Sequence, residues 1–322
     1  MPVNSSDHWS EYWAQGRLTS LPQDFAANYD GEVAEFWSEV FEKVPEGGHV
    51  LDLCTGNGAV ALLAAAYFNS MGRKVAITAV DAAKMDMAAV AQQFPVQSGL
   101  ASQVDFVADC PVENLQFPDQ SADLVTSQYG VEYCDWEPAA RQVFRVLKPA
   151  GRFQMVCHTP SSDMLAYMNR EHAEYARLEE LGFFSAVDDY VDGRTGHEAL
   201  KNAFSTISSR LEPEFSSNGS ALFGSVLGLL RNALDMTGQQ LDSNREALQA
   251  YRFQMQAGRD RLADMLRVNQ ALDDDPDWTG VFVRAGLEQV RQGQIRYRGQ
   301  HNAGQYYEFR KPQEPADQHQ DG

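Results

Sequence analysis

The rhythm of apolar and polar positions changes several times along the chain, and each change marks a segment. Up to about residue 44 the apolar positions are aromatic: Trp9, Tyr12 and Trp13, then Phe25, Tyr29, Val33, Phe36, Trp37 and Val40. The second group recurs at helical spacing, which predicts an amphipathic helix packed on the main domain. From residue 49 short continuous apolar runs take over. Residues 49–53, 74–80, 104–108, 122–127 and 152–157 read as strands, and 59–68, 85–94 and 138–147 as the helices between them. Lys148-Pro149-Ala150-Gly151 stops the last of these helices. Short buried strands alternating with helices form parallel βαβ units with right-handed crossovers.

After Pro160 the alternation ceases. Residues 164–181, 198–211, 220–236 and 243–272 read as helices, until Asp273-Asp274-Asp275-Pro276 breaks the pattern. Strands resume at 287–298 and 305–310, and the segment from Gly299 to Gly304 between them reads as a hairpin loop. The expected organisation is an N-terminal helical cap (1–44), an α/β core (45–161), a helical insertion (162–275), a return to the core (276–312) and a disordered polar tail (313–322). Open parallel sheets bind ligands at the carboxyl ends of their strands. An insertion leaving from the fifth strand is therefore expected to roof that site, as a lid or substrate pocket. The other reading makes it a stability element or a homodimer interface.

Composition narrows the function. A chain of 322 residues with 43% hydrophobic and 22% charged residues can bury a large core. No apolar run of about 18 residues is present, so no membrane span is expected. The first residues, Met1 to Asp7, form neither a basic nor an apolar leader, which points to a cytoplasmic protein. Cys54, Cys110, Cys134 and Cys157 make no CxxC pair and no zinc spacing, so they read as reduced thiols with no metal site. A net charge of −19 without a basic stripe argues against a nucleic-acid partner.

The candidate chemistry begins at the first strand–turn–helix. Gly56 and Gly58 let the backbone turn tightly and approach a ligand, and the helix that follows offers unpaired N–H groups. Gly56-Asn57-Gly58-Ala59-Val60-Ala61 also fits the dinucleotide fingerprint, so the turn alone does not choose a cofactor. Asp52 does, because a carboxylate there repels a pyrophosphate and favours an ammonium and a sulfonium. The plainer reading has Asp52 bonding only the turn. Asp81 closes strand two, where an acid can accept ribose hydroxyls. Asp109-Cys110 follows strand three, where a side-chain acceptor and a backbone N–H could read an adenine edge, the plainer reading being that Asp109 only forms the turn.

These segments resemble one family as a series. Val50-Leu51-Asp52-Leu53-Cys54-Thr55-Gly56-Asn57-Gly58, Val80-Asp81, Ala108-Asp109-Cys110, the run from Phe117 to Val125 and the run from Val143 to Phe153 together resemble the class I S-adenosylmethionine-dependent methyltransferases. The resemblance is nearest to the small-molecule, quinone-biosynthesis-like group. It implies a Rossmann-like doubly wound α/β fold: a mostly parallel seven-stranded sheet of order 3-2-1-4-5-7-6, its last strand antiparallel, with the helical insertion after strand five. It also implies S-adenosyl-L-methionine as cofactor, leaving as S-adenosyl-L-homocysteine. Asp52, Cys54, Thr55, Gly56 and Gly58 would hold the methionine moiety, Asp81 with Ala82 the ribose, and Asp109 and Cys110 the adenine. Tyr29, in a Tyr-Asp pair ahead of the sheet, would close over the cofactor, and Ser127 and Gln128 after strand four complete the set. Cys54 and Ala150 stand where the family has glycines.

The acceptor side is carried by Glu132, Tyr133 and His158, which follow strands four and five. Either they orient or deprotonate a small-molecule acceptor, or they pack beneath the insertion. Methyl transfer needs alignment more than a base. Within the insertion, the apolar run from Ala221 to Leu230 reads as helix core in preference to a lipophilic lining. Tyr167, His172 and Tyr175 fall on neighbouring helical turns. Two other functions fit less of the chain: a cofactor-binding regulator or scaffold without catalysis, and an NAD-dependent oxidoreductase, which Asp52 and the missing Tyr-x-x-x-Lys motif disfavour.

Overall fold

The computed structural model describes residues 7–20, 25, 27–159, 163–299 and 301–313. It separates the chain into two compact units: residues 1–161 with 268–322, and residues 162–267.

The first unit is built on a seven-stranded sheet. The strands are β1 (His49–Leu53), β2 (Ala76–Val80), β3 (Asp105–Val107), β4 (Ala122–Gln128), β5 (Leu147–Cys157), β6 (Glu288–Tyr297) and β7 (His301–Arg310). Their order is β3-β2-β1-β4-β5-β7-β6, with β1 to β5 parallel and β7 antiparallel to both neighbours. This is the expected Rossmann-like sheet. Period-2 alternation sends successive side chains to opposite faces. Val50, Leu124 and Val156 thus enter one apolar cluster, while Leu51, Leu53, Val125, Phe153 and Met155 enter the other. Helices α2 (Gly31–Glu42) and α3 (Ala59–Ser70) supply the first cluster through Trp37, Phe41, Leu62 and Phe68. On the other face Val143 and Val146 of the helix Trp136–Val146 meet Phe282 and the buried Val268 and Leu272. A sheet covered on both faces explains why its central strands are continuously apolar.

The structure departs locally from the sequence reading in four places. An eight-residue helix, α1 (Asp7–Ala14), precedes α2, so the aromatic N-terminal stretch holds two helices. The single helix read over 85–94 is shorter, and a second one follows it: α4 (Met87–Gln93) and α5 (Pro95–Ala101) are separated at Phe94, which proline forces out of helical geometry (φ −128°, ψ 74°). The Lys148–Gly151 stop is absorbed into β5, whose early residues take a bulge, with Ala150 at φ 62° and a register shift opposite Ala122 and Leu124. The hairpin pairs as far as Tyr297 opposite His301, a tighter connection than the 299–304 loop. The tail expected to be disordered lies, from residue 314 on, outside the described residues.

The second unit is helical: the helices Asp163–Glu180, Phe183–Val191, His197–Asn218, Ala221–Asp235 and Gly238–Ser243, and Arg245–Asp274 as far as residue 267. Phe223, Val226, Leu227 and Leu230 of the apolar run join Phe183, Phe184 and Phe204 in this unit's own core. The run is therefore packed away, as the helix-core reading expected. Tyr167 and His172 are exposed while Tyr175 is buried. No helix among the described residues is long and apolar enough to cross a membrane.

Candidate cofactor and active site

The carboxyl ends of β1, β2 and β4 converge on one turn. After β1, Cys54 takes φ 52°, Gly56 55° and Gly58 87°, the last capping α3. This left-handed region suits glycine, so Cys54 is the strained member. An added Cβ at Gly56 would lie 2.4 Å from the Trp13 indole, and one at Gly58 2.6 Å from the Phe106 ring.

Asp52 lies buried beneath the turn. Its Oδ2 accepts from Thr55 Oγ1 at 2.5 Å and its Oδ1 from Thr126 Oγ1 at 2.7 Å. Burial pushes this carboxyl up to about 7, against the lowering effect of the two hydroxyls. The carboxylate read as facing a cationic ligand is thus spent on hydroxyls.

Asp81 ties the ends of β1 and β2 together: Gly56 N–H donates to its Oδ2 at 2.7 Å and Ala83 N–H to its Oδ1 at 2.8 Å. Burial raises its carboxyl as well. Carboxylate oxygens have lone pairs beyond these two bonds, which a diol can use. Ala82 lies exposed between Asp81 and Ala83. Asp109 is exposed with φ 54°, whereas the Cys110 N–H already donates to the Asp81 carbonyl at 2.9 Å. That backbone donor is therefore not open to a purine edge.

The wall over the turn comes from the N-terminal segment. Asn57, fully buried, donates through Nδ2 to the carbonyls of Trp13 (2.8 Å) and Arg17 (2.7 Å), and its Oδ1 accepts from Asp86 N–H at 3.0 Å. Tyr29 is buried within 4.9 Å of Phe25 and 6.3 Å of Tyr129, ring to ring, and burial raises its phenol. From the other end of the chain, Ala303 accepts from Tyr129 Oη, and Tyr297 Oη donates to Asp30.

Beyond β4 and β5 the three acceptor-side residues come together. The Glu132 side chain is buried, and its Oε1 accepts from His158 N–H at 3.0 Å and contacts His158 Nδ1 at 2.8 Å. The Tyr133 ring lies 5.8 Å from the His158 ring and 5.6 Å from Trp9, while Tyr129 lies 4.8 Å from His158. Ser127 Oγ accepts from Val131 N–H at 3.1 Å, holding the short turn that carries Glu132. Gln128 Oε1 accepts from Trp37 Nε1, while its buried Nε2 has no partner among the described residues. A buried donor left unpaired in this way fits a site whose ligand supplies an acceptor.

The sequence reading assigned no role to Asn57, Trp13, Thr126 or Tyr129. Asn57 between two glycines, and Trp9 and Trp13 one helical turn apart, were visible signals. Tyr129, at φ 53°, left none.

Residues 50–151 match the family model described as a methyltransferase domain. Among curated relatives, the ubiquinone/menaquinone biosynthesis C-methyltransferase UbiE of Xanthomonas oryzae pv. oryzae is 35% identical over 124 residues, 37% of this chain and 47% of that protein. The UbiE of Rickettsia akari is 29% identical over 149 residues, 43% of this chain and 59% of that protein. The solved YcgJ protein from Bacillus subtilis is 33% identical, covering 43% of this chain and 58% of its own, with a TM-score of 0.34. The α/β core thus carries a segment similar to a methyltransferase domain, on a sheet of order β3-β2-β1-β4-β5-β7-β6. The curated relatives named above are quinone-biosynthesis methyltransferases, and the chain spans about half the length of those it matches.

Proposed function

We propose that this protein transfers a methyl group from S-adenosylmethionine to a small-molecule acceptor. The observation that carries this reading is the pairing of buried Glu132 with His158 beside the strand ends that form the glycine turn. When bound, the cofactor supplies an electrophilic methyl group on a sulfonium. The turn through Gly56 and Gly58 would carry its methionine moiety, Asp81 would accept from its ribose, and Asp109 would read an adenine edge. The unpaired Gln128 Nε2 is available to an acceptor oxygen.

His158 donates from Nδ1 to Glu132, which fixes the tautomer and leaves Nε2 as the basic nitrogen. Nε2 takes the proton that the acceptor loses, and Glu132 stabilises the resulting imidazolium. The relatives' printed names point to carbon as the methylated atom. Replacing C–H by C–CH₃ releases a proton, which gives a base work to do. A net charge of −19 favours a small acceptor over a nucleic acid.

Calorimetry against S-adenosylhomocysteine and NAD, followed by labelled methyl transfer into a metabolite extract, tests this function. Binding of the first alone, with a labelled product, is expected; no binding of S-adenosylhomocysteine would sink it. His158→Ala and Glu132→Gln are expected to lower kcat by roughly 10²–10⁴ with cofactor affinity nearly unchanged. Near-normal turnover in both variants and in Tyr133→Phe removes the base.

A further inference from the structure

Two thiols meet at the glycine turn. Cys54 Sγ lies 3.7 Å from Cys134 Sγ, although 80 positions separate them in the chain. Cys54 belongs to the turn after β1, and Cys134 follows the short helical turn Val131–Tyr133. Gly130 permits the approach, since a Cβ there would fall 2.2 Å from Cys54 Cβ. Both thiols are free and only partly buried, whereas Cys110 and Cys157 are buried.

We propose that Cys54 and Cys134 form a reversible disulfide, with a small disulfide such as oxidised glutathione as its oxidant. The thiolate of one cysteine attacks the small disulfide, forming a mixed disulfide and releasing one small thiol. The second cysteine then attacks the protein sulfur of that mixed disulfide and releases the other small thiol. Two protein S–H bonds are lost and one S–S bond forms; the oxidant gains the electron pair and leaves as two thiols. Both cysteines lie in turns, where the backbone can follow a shortening from 3.7 Å to roughly 2 Å. Glu132 and Tyr133 lie between Gly130 and Cys134, so closure draws the acceptor-side turn onto the cofactor turn. The groups facing Cys54 hold its thiol protonated: Cys134 first, then burial, then the carboxylates of Asp81 and Glu132. Exchange is therefore slow at neutral pH and faster as the pH rises.

This consequence for the cofactor rests on the methyltransferase reading; the crosslink itself does not. In the test, the full chain is reduced, then exposed to oxidised glutathione at about pH 8.5 and mapped as peptides without reduction. A Cys54–Cys134 crosslinked peptide pair is expected, with affinity for S-adenosylhomocysteine weakened about tenfold or more and restored by a phosphine reductant. Cys134→Ser is expected to bind as the reduced parent does and to lose both the crosslink and the response. Glutathione adducts alone, or links through Cys110 or Cys157, overturn the pair. A Cys54–Cys134 link with unchanged affinity overturns the closure. If the reduced chain fails to bind S-adenosylhomocysteine, the cofactor reading fails, while the peptide map still decides the disulfide.

Discussion

The two units bury polar groups for different purposes. In the helical unit, the buried polar residues among those described are Glu174, Ser208 and Ser220, and two of them serve one helix end: Ser220 Oγ donates to Glu174 at 2.7 Å and accepts from Phe223 N–H at 3.1 Å. In the α/β unit, Asp52, Thr55, Asn57, Thr126, Ser127, Gln128 and Glu132 are all buried, and all lie at or just beyond the carboxyl ends of β1 and β4. Burying such groups is costly unless each is paired. The helical unit keeps that cost low; the α/β unit accepts it at several places, Thr78, Gln154, Asn269 and Glu308 among them, with one large group at these strand ends.

The largest effect that tests this contrast comes from the helical core. Leu227→Ala is expected to lower the unfolding free energy by about 2–5 kcal/mol while leaving cofactor affinity unchanged, read by denaturant titration beside calorimetry. A parallel loss of affinity breaks the division of roles. Next come two glycines of the same backbone class. Gly56→Ala forces a Cβ into Trp13 at φ 55° and is expected to weaken S-adenosylhomocysteine binding about a hundredfold. Gly193→Ala, at φ 72° with nothing within 4 Å, is expected to cost only about 1 kcal/mol of stability. Equal effects on affinity at both sites contradict the contrast.

The smallest effect is the pH response of Asp52. Its carboxyl in the fold is raised to about 7. The stability it contributes is complete below the ordinary aspartate range and is lost as the pH rises through about 7. A cationic ligand near the turn favours the ionised form. Affinity for S-adenosylmethionine is therefore expected to rise with pH up to about 7, by no more than about tenfold per unit, with proton release. Asp52→Asn is expected to flatten the profile; an unchanged slope in that variant assigns the titration elsewhere.

Local signals in the sequence were enough for the sheet. The run over 49–53 is β1 residue for residue, and the motif series carried the strand order, because the strands are buried on both faces and each is followed by its own turn. Acids at strand ends were legible for the same reason. Their partners were not, since each arrives from elsewhere in the chain: Thr126 on Asp52, Gly56 N–H on Asp81, Trp13 and Arg17 on Asn57. The missed α5 turned on a single proline, and the absorbed stop before β5 on a bulge. In the helical unit, spacing predicted helices well. It did not say which of Tyr167, His172 and Tyr175, on neighbouring turns of one helix, is buried.

The anchoring of α1 bears on the order in which the site is assembled. Eight residues are too few for a stable isolated helix, so α1 depends on its contacts with Asn57 and Gly56. The opposite rim waits on Tyr297 and Ala303, near the other end of the chain. Both are contacts of high sequence separation, and such contacts form slowly. A nascent chain can therefore complete β1 to β5 and the glycine turn well before its pocket has walls.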